Sequence, residues 1–470
     1  MSDDRRFPSQ VRFILGNEAC ERFSYYGMKS ILAVYATTML MMTEDQATEV
    51  IHLFGFANYL MPLLGGWISD RFWGRYKTIL WISLFYCAGH GVLALADLSA
   101  SIDYKIGCLY LGLGLIAFGS GGIKPCVSAF MGDQFKPWQK KLLQKAYAAF
   151  YWCINLGSFS SMLLIPLIKD NWGWSWAFGI PGILMALATF VFWLGRKRYV
   201  HVDPANAAES TEEKAGFVPV MAHALTGKDR KPGDSFWAAA RRKFSDEAVD
   251  GVIATLRVMM IFSMIPMFWA LFDQGGSTWV LQGKQMQEVT LFGMRLTAEQ
   301  FQAANPAFVM VLIPLVVYGI YPLLGNWATP LRRVTLGLGG AGAAYFLVGW
   351  LQMRLEQGEQ LSLLWQLMPY FVITMSEVLV SVTGLEFAFT QAPKAMKSTI
   401  TSFWLLTSAV GQLIVVAITH FGGAEGDGSS AVSSGRFFLY GEWMLVVTVI
   451  FAVVATFYRY RKEEEEPAAA

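Results

Sequence analysis

Charge is scarce in this chain. Asp, Glu, Lys and Arg make up 15% of it, against about 25% in a soluble globular protein. Only five histidines and five cysteines occur in 470 residues. The cysteines (Cys20, Cys87, Cys108, Cys126, Cys153) have neither metal-ligand spacing nor the pattern of a disulfide framework, so they read as small buried hydrophobes. There is no HExxH, no GxSxG and no pair of aspartates at catalytic spacing. A membrane-embedded enzyme would therefore lack its nucleophile or metal, and no catalytic residue or metal site is expected. No cleavable signal pattern precedes the first apolar segment. The net charge of +2 is uninformative, because the placement of charge matters more than its sum, and no nucleic-acid partner is expected.

Apolar sequence is abundant instead: 54% of residues, with a mean hydropathy of +0.40. Runs of about 20 apolar residues, enough to cross a bilayer, recur along the whole length. Twelve spans are predicted. The first six lie near 12–42, 48–69, 77–97, 104–131, 146–168 and 174–195. The other six lie near 249–277, 303–324, 331–355, 361–389, 395–420 and 436–458. The chain divides accordingly into bundles over 1–195 and 249–458, a polar linker over 196–248 and a tail over 459–470. The end of the linker, from Ser235 to Val249, is expected to form an amphipathic surface helix. Of the 37 Lys and Arg, six (Lys105, Lys169, Lys284, Arg295, Arg354, Arg436) fall in the odd-to-even loops and four (Arg22, Lys29, Lys124, Arg257) lie within spans. The rest sit in the tails and the even-to-odd loops. That bias puts both termini in the cytoplasm.

The halves echo each other. "GGWISDRFWGRYKT" follows span 2, and "YPLLGNWATPLRRVT" follows span 8 at the matching place. Six plus six spans around a long central loop is the layout of the major facilitator superfamily, whose repeats close around a midplane site. The first loop resembles that superfamily's cytoplasmic motif. Gly66 would permit close helix approach, Asp70 would cap and brace a neighbouring helix, and Gly74-Arg75 would make a basic turn.

The first span carries the densest chemistry, "NEACERFSYYGMK". At 100° per residue, Glu18, Arg22, Tyr25 and Lys29 fall within about 60° of each other, with Glu21 about 60° further round. Each ion at mid-membrane costs roughly 2.5–3.5 kcal/mol on insertion scales. The stripe must therefore face a water-filled cavity or partner groups. Partners are available in other spans: cations at Lys124 and Arg257, anions at Asp273 and Glu377. Cations gather in the first half, so the cavity is expected to be dipolar and to suit a substrate with a negative and a positive end. Glu386 lies close to the cytoplasmic end of span 10, as a solvated or gate residue. His52 and Asp273 fall near the outer ends of spans 2 and 7. Facing each other, they would make a proton-sensitive latch. Asn155 is a mid-span amide that needs partners and can grip a polar ligand. For Asn305, before Pro306, an N-cap role competes with ligand binding. Tyr151, Trp269 and Trp404 occupy mid-span or cavity-adjacent positions, where packing competes with lining.

Several stretches together resemble the proton-dependent oligopeptide transporters: "EACERFSYYG", "GGWISDRFWGRYKT", "FYWCINLGS", "GSGGIKPCVSAFMGDQF", "PMFWALFDQGGSTW" and "SEVLVSVTGLEFAFTQAP". The resemblance covers essentially all twelve spans. It implies an all-α membrane fold that imports di- and tripeptides, and peptide-like drugs, together with protons by alternating access. No cofactor is implied beyond the proton as coupling ion, and the functional unit is a monomer. By position, Glu18, Glu21 and Arg22 would couple protonation to substrate release. Arg22, Lys29 and Lys124 would hold the peptide carboxylate, and Asn155, Asn305 and Glu377 its ammonium end. Tyr25, Tyr59, Tyr151, Trp269 and Trp404 would line the pocket. His52, matching an outer histidine of animal members, would share in proton coupling, while His52, Asp273 and Arg257 would form gates. Three features depart from the pattern. The linker has no room for the two extra helices of many bacterial members, and the loop before span 10 is too short for the extracellular domain of animal members. Val317 stands where animal members offer an acidic partner for the seventh-span arginine. The short tail and absent domain lean towards a bacterial inner membrane. The alternative is a proton-coupled transporter of nitrate or another small anion, which Glu377 disfavours.

Overall fold

The computed structural model describes residues 7–136, 138–202, 216–227, 231, 233–291, 293–391, 396–422, 430–458 and 460. The first bundle comprises α1 (Val11–Thr38), α2 (Glu44–Ile68), α3 (Gly74–Ala94), α4 (Ile102–Asp133), α5 (Lys140–Trp172) and α6 (Trp174–Leu194). Two short helices follow, α7 (Phe217–Thr226) and α8 (Ala238–Lys243). In the second bundle, span 7 is built from α9 (Asp246–Phe262), α10 (Pro266–Phe272) and α11 (Thr278–Lys284). A small hairpin, β1 (Val289–Leu291) with β2 (Met294–Leu296), turns at Gly293. Span 8 is α12 (Ala298–Phe301), α13 (Ala304–Pro314) and α14 (Tyr321–Leu324); span 9 is α15 (Pro330–Glu356). The last three spans are α16 (Leu367–Glu377) with α17 (Thr383–Gln391), then α18 (Lys397–Gly422) and α19 (Ser434–Phe457).

Among the described residues, ten helical runs are long and apolar enough to cross a membrane. One of them, Glu44–Leu98, is 55 residues long and contains both α2 and α3. Its sharp turn is made at Gly74, whose φ of +70° only glycine adopts readily. The run therefore crosses twice. The charged stripe keeps α1 out of that apolar set, yet its 28 residues reach about 42 Å at 1.5 Å each. With α1 and the two arms of that run counted separately, the described residues hold twelve helical segments of spanning length, the number the sequence predicts.

Close packing between spans uses glycine at specific points. A Cβ on Gly65 would sit 2.0 Å from the Gly122 carbonyl, whereas one on Gly66 meets nothing within 4 Å. Gly65, one residue before the predicted position, is what lets α2 and α4 touch. The same loop brings a second correction. Asp70 is exposed, and the carboxylate that braces Arg75 is Asp133 at the end of α4, 2.5 Å away.

The linker also differs from expectation. No helix runs from Ser235 to Val249: α8 stops at Lys243, Phe244 is extended, and the Ser245 hydroxyl accepts from the Ala248 N–H to cap α9. Ser245 followed by Asp246 and Glu247 is a helix-start signal, so the second bundle begins at Asp246. Val220 and Ala224 of α7 and Ala240 of α8 pack with Val249, Val252 and Met396 in an apolar cluster of their own. The linker is thereby seated on the cytoplasmic end of the second bundle.

Candidate site between the two bundles

Span 7 is broken where the site lies. Pro266 has no N–H to donate and restarts the helix as α10, and the Gly275-Gly276 pair unwinds it again between Asp273 and Ser277. Gly276 leaves room for the stem of Lys29, whose Cε would lie 3.2 Å from an added Cβ. In span 10, a π-helical stretch, Val378–Val382, follows directly after Glu377. Such irregular backbone at mid-membrane is tolerated where it lines a cavity.

That cavity encloses about 200 Å³. Tyr25, Tyr26, Lys29, Tyr59, Lys124, Tyr151 and Asn155 line it from the first bundle. From the second come Phe272, Asp273, Gln302, Asn305, Tyr370 and Glu377. Tyr151, which lines it, is 42% exposed. The contacts that tie the bundles together cluster at one end. Lys169 of α5 pairs with Glu299 of α12, Glu49 with His420 at 3.2 Å, and Glu44 with the Ser430 hydroxyl. The Gln302 amide donates to the Ser30 carbonyl at 2.9 Å, and the Ala431 N–H to Asp45 at 2.5 Å. The bundles are thus joined at the end where α1 stops and α2 starts, the outer end in the predicted orientation.

The predicted ions fall into three groups. Glu18, Glu21 and Arg22 form a sealed triad, 4%, 1% and 8% exposed. Arg22 Nε lies 2.9 Å from Glu18 and 2.5 Å from Glu21. The Ser120 hydroxyl donates to the other oxygen of Glu21 at 2.8 Å. Gly157 of α5 allows this packing, because a Cβ there would lie 2.7 Å from the Ala19 carbonyl and 3.2 Å from Arg22 Cβ. Arg22 is thus held by carboxylates and does not line the cavity in this conformation.

The second group is the outer latch, and here the direct His52–Asp273 pairing does not form. Gln412 of α18 stands between them, its amide donating to Asp273 at 2.5 Å and its carbonyl 2.5 Å from His52 Nδ1. Ser277 takes the other ring nitrogen at 2.9 Å. Lys29 reaches Asp273 at 3.3 Å across the bundle interface. A glutamine side chain fills the gap because Gly55 leaves space on α2.

The third group faces the cavity. Lys124 lies over the rings of Tyr25 and Tyr59, 4.7 and 5.2 Å from their centroids. It makes no hydrogen bond or ion pair among the described residues. Opposite it, the Asn305 amide donates to Glu377 at 2.8 Å and to Thr374 at 3.1 Å. Asn305 is therefore not an N-cap: the residue in that place is Ala303, which makes no side-chain cap. Asn155 donates to the Tyr151 carbonyl at 3.0 Å.

Four predicted residues sit elsewhere. Trp269 and Trp404 are 9% and 6% exposed and pack edge-on at 6.1 Å beside Phe262, behind the cavity wall. Arg257 is exposed on α9 and makes no ion pair among the described residues; half-buried Val317 supplies no charge to it. Glu386 is exposed and pairs with Arg333 at 3.3 Å. The sequence reading passed over Tyr26, Ser120, Ser277, Gln302 and Gln412. For Gln412 a signal existed, since a mid-span amide demands partners just as Asn155 does.

Comparison with known proteins agrees with this architecture. The model of the POT family matches residues 76–422. Peptide transporter family 1 of Drosophila melanogaster is 38% identical over 365 residues, covering 75% of this chain and 48% of that protein. Solute carrier family 15 member 2 of Danio rerio is 36% identical over 353 residues, covering 72% and 49%. The chain spans about half the length of the curated relatives it matches. Among solved structures, an auto inhibited POT family peptide transporter superposes with a TM-score of 0.86 at 40% identity, covering 98% of this chain and 99% of that one. The POT family transporter PepTSo gives 0.87 at 38%, covering 96% and 98%. With its bundles of apolar helices, charged central cavity and matching family model, this chain belongs to the POT family of transporters.

Proposed function

We propose that the protein is a proton-coupled symporter that imports di- and tripeptides by alternating access. The observation that carries this reading is the polarity of the cavity: Lys124, with no ion pair among the described residues, on one wall and Glu377 with Asn305 on the other. Short peptides share a carboxylate and an ammonium group, while their side chains vary. Fixed ions at opposite walls grip those ends, and the tyrosines leave room for the rest. A small inorganic anion has no use for Glu377, which disfavours nitrate. The similarity to proteins named as peptide transporters supports the same substrate class.

Protonating a carboxylate of the triad would release Arg22, so that proton and substrate binding are linked. The gradient drives the cycle, its electrical part contributing about 2.3 kcal/mol per charge per 100 mV. The bundles of one chain enclose the whole cavity, consistent with a functional monomer. A bacterial inner membrane is the proposed location. Proteoliposomes with an inward proton gradient are expected to accumulate labelled dialanine. Absence of accumulation by folded protein would sink the peptide reading.

A further inference from the structure

Gln412 is 2% exposed and held on both sides. A Cβ on Gly55 would lie 2.6 Å from its carbonyl oxygen, so α2 is shaped to admit it. Its two amide atoms contact Asp273 and His52 at 2.5 Å each. Ser277 Oγ is 2.9 Å from His52 Nε2 and 3.5 Å from the Gln274 carbonyl, so its hydroxyl has two directions in which to donate. The titratable groups around this chain of contacts are Lys29 and Tyr25 of α1, Asp273 of span 7, Tyr59 and Glu49 of α2, Tyr345 of α15, Glu377 of α16 and His420 of α18.

Donor and acceptor rules limit what the chain permits. An ionised Asp273 only accepts, so the amide NH₂ must face it and the amide carbonyl must face His52. Nδ1 then carries the ring hydrogen, and Nε2 accepts from Ser277. When Asp273 instead carries a proton on the oxygen facing Gln412, the amide must turn its carbonyl towards that O–H. The NH₂ now faces His52, Nδ1 accepts, and Nε2–H donates to Ser277, whose hydroxyl turns to the Gln274 carbonyl. The second oxygen of Asp273 faces the Lys29 ammonium at 3.3 Å, a donor, and offers the proton no alternative seat. A cationic His52 donates from both nitrogens and fits only the first arrangement. A cationic His52 beside a protonated Asp273 would require the single amide carbonyl twice.

We propose that Gln412 makes His52–Gln412–Asp273 a one-proton element. A proton from the outer solvent resides on His52 or on Asp273 but not on both, and the amide's orientation sets the tautomer of His52 in each state. Gln412 acts as a positioning residue: it binds neither proton nor peptide. The transport consequence rests on the symport reading above, whereas the tautomer consequence does not.

The test is nitrogen NMR of histidine-labelled full-length protein in nanodiscs, with His52 assigned by the signals lost in His52→Gln. At mildly alkaline pH the wild type is expected to show the Nδ1–H tautomer. Gln412→Leu, and the shorter amide Gln412→Asn, should release the ring to the Nε2–H form. An Nε2–H ring in the wild type overturns the proposal, as does an unchanged tautomer in Gln412→Asn. In proteoliposomes, Gln412→Asn should move the midpoint of uptake against external pH by about one unit, a tenfold change in proton affinity, while counterflow exchange persists. An unmoved profile removes Gln412 from proton coupling. Failure of the wild type to take up dialanine would sink the peptide reading and leave the tautomer result standing.

Discussion

Arg22 Nε sits between two carboxylates and is well aligned with neither, so its bond to Glu21 is ionic rather than a directed hydrogen bond. Three buried ions coexist because the cation is shared and Ser120 satisfies a remaining oxygen. The triad is therefore sensitive to the loss of any member. Glu21→Gln is expected to lower gradient-driven dialanine accumulation at least about a hundredfold, in line with the roughly 3 kcal/mol lost when a buried pair is broken. Counterflow exchange, which needs no net proton movement, should survive. Retained accumulation would take Glu21 out of proton coupling. At this scale the sequence was informative, because four polar residues on one face of a hydrophobic helix have few physical explanations. It could not show that Glu18 and Glu21 both turn to Arg22, nor that Lys29 turns away to Asp273. Those choices depend on side chains from α4 and span 7.

Among the elements, the predicted spans match helices closely where apolar runs are long, and the misreadings fall at helix junctions. Ser235–Val249 looked continuous by periodicity, but the capping signal at Ser245 prevailed. The glycine motif after span 2 was legible as a close approach, but its register was not: a shift of one residue turns a helical position by 100°. Packing decides which glycine faces α4. Gly65→Ala should place a methyl group 2.0 Å from the Gly122 carbonyl. It is expected to lower the thermal midpoint in detergent by about 1–3 degrees, since an overpacking cost of about 1–3 kcal/mol acts against an unfolding entropy of about 1 kcal/mol per degree in a chain of this length. Gly66→Ala should leave it within about a degree, given about 0.5–1 kcal/mol of helix propensity in alanine's favour. Equal destabilisation by both would contradict the helix contact described here.

At the scale of the whole molecule, closure of the outer face rests on several cross-bundle contacts rather than on one latch. Lys169–Glu299, Gln302–Ser30, Glu44–Ser430 and Glu49–His420 lie around the His52–Gln412–Asp273 group. Of these, the Lys169–Glu299 pair is the most buried ion pair, with Glu299 at 3% exposure. Glu299→Gln should raise the outward-open population about tenfold, a shift of about 1.4 kcal/mol. Pulsed electron spin resonance between labels on the outer ends of α5 and span 7 would read it as growth of a longer distance. An unchanged distance distribution would show that this pair does not hold the gate.

The sequence by itself determined the membrane class, the helical spans, an expected orientation and the set of ions available to a central site. Each follows from local physics: apolar length, helical period and the sidedness of Lys and Arg. Only the tertiary structure decided which ions pair, that Trp269 and Trp404 pack behind the wall, that Gln412 separates His52 from Asp273, and at which end the bundles are tied together. Those facts depend on contacts between residues far apart in the chain. The register and tilt of packed helices set such contacts, and neither is written in any single span.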